Sequence, residues 1–172
     1  MVSSAQGSTS MPSSLIYATV LTCEKVLCDI EDEVLSAIRM VDVYFVSPAA
    51  QGLDDGSFGV GLAILASARF SDPEPAEHTF QLQLERPNGE VKYLSAPYSH
   101  TTTRKYPDVF GGFNVRQQVA IAPTQFGLHW FHLLVDGEKV ASVPFTLLPE
   151  SARKTSAQQS SPDTSSGADL PA

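Results

Sequence analysis

Cysteine is nearly missing from this chain: Cys23 and Cys28 are the only two among 172 residues. Two thiols cannot build the multi-bridge framework that staples small extracellular domains. Their Cys-x4-Cys spacing is neither a redox Cys-x-x-Cys nor half of a four-ligand zinc site, because no second pair exists. Basic residues are also scarce, 11 Lys+Arg against 19 Asp+Glu, for a formal net charge of -8. A field of that sign opposes nucleic acid, whose phosphates require a basic stripe, and opposes an anionic membrane surface. Long apolar runs are absent. The richest stretch, Val60 to Ala68, reaches about half of the ~20 residues that a membrane helix needs. The opening Met-Val-Ser-Ser-Ala-Gln-Gly-Ser-Thr-Ser lacks the basic and apolar segments of a secretory signal. The expectation is a cytoplasmic protein with no nucleic-acid or membrane partner.

Residues 1–14 and 149–172 contain no aromatic side chain and are rich in Ser, Thr, Ala, Gln and Pro. Such segments bury too little surface to offset the entropy of ordering, which predicts disordered tails around one domain at 15–148.

Within that domain the dominant period is two. Val60, Leu62, Ile64, Ala66, Ala68 and Phe70 alternate with Gly61, Ala63, Leu65, Ser67 and Arg69. Phe80, Leu82 and Leu84 alternate with Gln81, Gln83 and Glu85, and Phe113, Val115, Val119 and Ile121 share one face. Side chains of a strand point to opposite faces in turn, so each run reads as a strand with one buried side. Arg86-Pro87-Asn88-Gly89 predicts a turn joining 78–85 to 90–95, and Asp136-Gly137 a two-residue hairpin joining 128–135 to 139–147. Pro144 has no N–H to donate, which places the last strand at an edge or at a bulge. Residues 23–46 are ambiguous. Leu35, Ile38 and Val41 have helical spacing behind Glu31, Asp32 and Glu33, whereas Val41-Asp42-Val43-Tyr44-Phe45-Val46 suits a strand. Two strands joined at Asp29–Glu33 are favoured, with a short helix at 31–40 as the alternative. The whole predicts an all-β, two-sheet antiparallel sandwich, Ig-like, of eight or nine strands.

Leu21-Thr22-Cys23-Glu24-Lys25-Val26, the strand around Ala37–Asp42, the Leu84–Gly89 hairpin and the closing Gly127-Leu128-His129-Trp130-Phe131…Val143-Pro144-Phe145 together bear a resemblance. The chain resembles a family of small bacterial β-sandwich proteins of unknown function, Ig-like or C2-like, over most of 15–148. The resemblance implies a fold and a bacterial origin, and brings no catalytic residues.

No constellation carries a catalytic signature. His129 and His132, three apart on a strand, point to opposite faces and cannot share a metal; His132 shares its face with Trp130 and Leu134. A Cys/His hydrolase would need His100 beside Cys23 or Cys28. The acidic groups Asp29, Glu31, Asp32, Glu33 and Asp54-Asp55-Gly56 lack an EF-hand spacing and read as solvated turns. Neither a metal nor a cofactor is expected. The segment 97–113 stands out: it combines Tyr98, His100, Arg104, Lys105, Tyr106 and Phe110 with a Gly111-Gly112 pair. Long loops in compact domains are often functional, and Tyr, Phe and Arg are favoured at interfaces. These six residues are the expected partner-binding set of a non-catalytic module that binds a protein partner, or itself, through this loop or an edge strand. The competing expectation is a small-molecule or glycan site on the same loop; the bland one is that its aromatics cap the core.

Overall fold

The computed structural model describes residues 14–28, 35–47, 60–104, 108–121 and 125–153. The expected tails lie almost wholly outside these residues, as do both acidic clusters, Lys105 and Tyr106. Ten strands are described: β1 (Leu15–Cys28), β2 (Leu35–Met40), β3 (Val43–Val46), β4 (Val60–Phe70), β5 (Ala76–Glu85), β6 (Val91–Tyr93), β7 (Tyr98–Thr102), β8 (Gly111–Ile121), β9 (Gly127–Val135) and β10 (Glu138–Pro149). They form two packed sheets, one ordered β2-β1-β4-β8, the other β3-β10-β9-β5-β6 with β7 also paired to β5. The all-β two-sheet sandwich is therefore the fold.

The period-two runs explain the layers. Val60, Leu62, Ile64, Ala66, Ala68 and Phe70 of β4 are all at most 1% exposed and meet Phe80, Leu82, Leu84, Phe131, Leu133, Phe145 and Leu147 of the facing sheet. On its other side β4 turns Ala63 and Leu65 into a smaller apolar cluster with Cys23, Val26, Leu35 and Ala37.

Both hairpins have the expected turn chemistry. Asp136 (φ 52°) and Gly137 (φ 83°) are both left-handed, the type I′ requirement. At the other, Gly89 (φ 81°) donates its N–H to the Arg86 carbonyl at 2.8 Å. Pro144 lies on a strand that is paired to β9 from Glu138 to Leu147 but to β3 only from Thr146 onward, and that carries a register shift between Lys139 and Ala141.

The count exceeds eight or nine for two reasons. Residues 35–40 are strand, the favoured alternative, but the run through Val46 splits in two. Arg39 is left-handed (φ 54°), and at Val41–Asp42 the chain passes from one sheet to the other. The corner is pinned by Val41 N–H donating to the Thr22 carbonyl, the Thr22 hydroxyl donating to the Val41 carbonyl, and Thr146 N–H donating to the Asp42 carbonyl. Because β3 arrives by a crossover instead of a hairpin, it pairs with β10 in parallel, against the all-antiparallel expectation. The second addition is β7, which occupies part of the expected loop. Beyond residue 148, β10 continues to Pro149 and a helical turn follows at 150–153, where the Arg153 guanidinium lies 5.5 Å from the Phe45 ring centroid.

Candidate functional site

β8 is the outermost strand of its sheet. Its eleven residues pair in unbroken register with β4, from Val60↔Ile121 to Phe70↔Gly111, and among the described residues no strand pairs with its other edge. The N–H and C=O groups that alternate along that edge face outward. Edge strands are commonly blunted by Pro, Lys or bulges; β8 has none of these, and Arg116 is its single charge. A Cβ on Gly112 would sit 2.2 Å from the Ala68 carbonyl oxygen, so this glycine lets β8 approach β4 closely at its start, while a Cβ on Gly111 would sit 3.0 Å from the Thr103 carbonyl oxygen.

A cavity of about 300 Å³ opens between the sheets beside this edge. It is lined by Phe80, Leu82 and Leu133, by Val115 and Gln117 of β8, and by Tyr98, which is 56% exposed. Gln117 is held by donating from Nε2 to the Leu94 carbonyl at 3.0 Å, and Gln81 by donating to the Ser95 carbonyl at 3.1 Å. Both side chains at the cavity are thus held in place by main-chain carbonyls.

The expected loop residues separate into two groups. Tyr98 and His100 lie on β7, opposite Phe80 and His78 of β5, with their own rings 6.3 Å apart. The Thr-rich run 99–103 is β-branched, which favours a strand over a loop. Arg104 and Phe110 come together at the entry to β8, the guanidinium 5.8 Å from the ring centroid, while Arg104 also donates to the Ser71 carbonyl. Phe110 is 46% exposed, so it does not cap the core; Phe113 does, 3.5 Å from Phe80 between ring centroids.

One cluster was not anticipated. His78, 6% exposed and stacked on Phe70 at 3.9 Å, donates from Nδ1 to Asp136 (2.8 Å) and from Nε2 to Asp72 (3.0 Å). Burial alone would lower its pKa, but the two carboxylates outweigh this and the net shift is upward. Burial likewise pushes the Asp72 carboxyl up, and its bonds to His78 and Ser14 more than reverse it. With a carboxylate facing each ring nitrogen, the environment of His78 favours the imidazolium over the neutral ring. A histidine on the same strand face as Phe80 and Leu82 is the signal that could have revealed it, since such a ring needs polar partners.

His129 and His132 do face opposite sides: His129 is buried near Phe145 and donates from Nδ1 to the Gly127 carbonyl, while His132 contacts Glu85, Lys139 and Ser142. Cys23 is buried in the sheet opposite β7, its thiol donating to the Ala63 carbonyl at 3.6 Å, its pKa raised by burial. Its neighbours are Val26, Leu35, Ala37, Ala63 and Leu65 and not His100, and no disulfide joins it to the exposed Cys28. Among the described residues no three His, Cys, Asp or Glu side chains gather as a metal site, and no helix is long and apolar enough to cross a membrane.

No family model matches the chain. No curated protein matches it either. Solved structures share its outline at low similarity. The CARDB domain of a Pyrococcus furiosus protein, in complex with di-metal ions, is 8% identical with a TM-score of 0.45, over 81% of this chain and 99% of that one. The Pseudomonas fluorescens alkylpurine DNA glycosylase AlkC, bound to DNA with an abasic site analogue, is 14% identical with a TM-score of 0.43, over 74% of this chain. A Listeria innocua β-glucosidase is 8% identical with a TM-score of 0.43, over 76% of this chain. The chain spans only 30% of the glycosylase and 16% of the glucosidase.

Proposed function

We propose that this domain is a non-catalytic interaction module that takes an extended segment of a protein partner along the outer edge of β8. Main-chain hydrogen bonds to the edge would supply affinity, and alternate side chains of the added strand would enter the cavity between the sheets and supply selectivity. The observation that carries the reading is an eleven-residue edge lying directly beside an apolar cavity. In this reading Tyr98 would contact the segment as a ring at the cavity, whereas Arg104 and Phe110 stand at the strand's entry.

Selection from a displayed library of random twelve-residue peptides tests this. Selected peptides should alternate apolar and polar residues and should slow hydrogen exchange of β8 amides. Tyr98→Ala should weaken them by about 2 kcal/mol if the ring is a hot spot, and Val115→Lys should abolish binding while the domain still melts cooperatively. Peptides whose binding depends on Phe110 and not on Val115 would move the site to the connection between β7 and β8. Peptides that protect other strands would overturn the reading.

A further inference from the structure

Two arginines stand at the β8 edge on the outer face of the four-stranded sheet. Arg69 and Ser67 of β4 are opposite Gly112 and Asn114 of β8, and Leu65 is opposite Arg116, so all of these side chains share that face. Arg69 lies across the start of β8 in space that Gly112 leaves open: a Cβ on Gly112 would sit 2.6 Å from Arg69 Cδ and 3.0 Å from its Nη1. There Nη1 donates to Ser67 Oγ (3.0 Å), to the Ala68 carbonyl (2.9 Å) and to the Phe113 carbonyl (3.0 Å). Both Nη1 and Nη2 lie 3.3 Å from Asn114 Oδ1. With its oxygen turned to Arg69, Asn114 has its Nδ2 left to donate elsewhere. Arg116, one step further along the face, is exposed.

In a chain of net charge -8 this corner is a cationic island. β4 and β8 contain no Asp or Glu, and among the described residues neither Arg69 nor Arg116 forms an ion pair.

We propose that the segment taken at the β8 edge is acidic, with carboxylates at alternate positions and an apolar residue between them. This rests on the strand addition proposed above and adds the partner's chemistry. Successive side chains of an added strand point to opposite faces. Residues on its outer face would stand beside the Arg69–Asn114 pair and Arg116, and the residue between them would point to the cavity at Val115. No charged side chain lines that cavity, so a carboxylate inside it would lose water and gain no counter-charge. The outer face presents donors: Nη2 of Arg69, Nδ2 of Asn114 and the Arg116 guanidinium. A lysine there would meet like charge, and a hydroxyl or amide would leave the arginines without a counter-ion. A carboxylate accepts from all three and is the strong partner of a guanidinium.

Three labelled twelve-residue peptides separate the charge from the strand addition. They share the same alternating valines in a central block, carry Glu, Gln or Lys between them, and are titrated into the full chain by fluorescence anisotropy. The protein's overall field favours the Lys peptide, so a preference for Glu must come from the site. The Glu peptide should bind about tenfold more tightly than the Gln peptide at low salt, as two exposed ion pairs imply, and the margin should shrink at high salt. Arg69→Gln should narrow the margin. Arg116→Glu, at an exposed position, should remove it while the domain melts as the parent does. Glu and Gln peptides of equal affinity that both slow hydrogen exchange of β8 amides would overturn the acidic partner and leave strand addition standing. A Glu preference that survives Arg116→Glu would overturn it as well. Failure of all three peptides to protect β8 would overturn both readings.

Discussion

A charged imidazolium held between two carboxylates links folding to pH, and His78 is in that position. Its folded pKa lies above the ordinary 6.5, so below about that pH the folded and unfolded chains both carry the proton and the stabilisation is complete. As pH rises, the unfolded chain releases its proton first, and the contribution disappears as pH passes through the raised folded value. Asp72, with its pKa lowered from 3.8, sets the acid limit: its contribution is present above that value and is lost as pH falls. Removing the ring should therefore cost most between these limits. The gap in melting temperature between wild type and His78→Gln should be widest near pH 6 and should narrow toward both ends. His129 acts in the opposite sense. Burial lowers its pKa, so acidification below about 6.5 destabilises the fold, and the parent's own profile blends the two. Melts of His78→Gln at closely spaced pH separate them; a gap constant from acid to alkaline pH would show that the ring is not charged. Asp136 does more than hold this ring, since its Oδ1 also accepts from Thr79 N–H at 2.8 Å.

At the scale of the element, the Asp136-Gly137 hairpin combines a backbone requirement with a side-chain clamp. Gly137→Val places a β-branched residue at φ 83° and should cost about 1–3 kcal/mol. Asp136→Gly tolerates the same backbone but removes both carboxylate contacts, so its loss should depend on pH as that of His78→Gln does, while the loss in Gly137→Val should not. Thermal melts of the two variants at pH 6 and pH 9 make the comparison. This hairpin was readable from two letters of sequence, as were the alternating strands β4 and β5, because turn chemistry and period two are local. The Gly-rich start of β8 was not, because Gly112 answers to the Ala68 carbonyl on β4 and Gly111 to the Thr103 backbone. β7 was hidden by the prolines on either side of its threonines.

For the whole molecule, the outer limit of the domain lies past the last strand. A fragment ending at residue 153 should melt within a few degrees of the full chain. One ending at 149 loses the helical turn and the Arg153–Phe45 contact, worth about 0.5–1 kcal/mol for an exposed cation over a ring, and should melt a few degrees lower. Equal melting of the two fragments would make the turn an ornament of the sandwich. Two-sheet architecture was legible because so many strands showed one apolar face. The division of β2 and β3 between sheets was not, because a crossing at Val41–Asp42 depends on what each half meets.

That crossing has a consequence for the order of events during synthesis. The parallel partner of β3 is the far end of β10, Val43 meeting Thr146 and Val46 meeting Pro149. A ribosome adding about 5–20 residues per second releases β3 several seconds before its partner exists. Over that interval β1 and β4 can pair, as can β5 with the strands that follow it, but the chain after Asp42 has no edge to join. Closing so long a loop is slow, so the pairing of β3 with the far end of β10 belongs to the last step of folding.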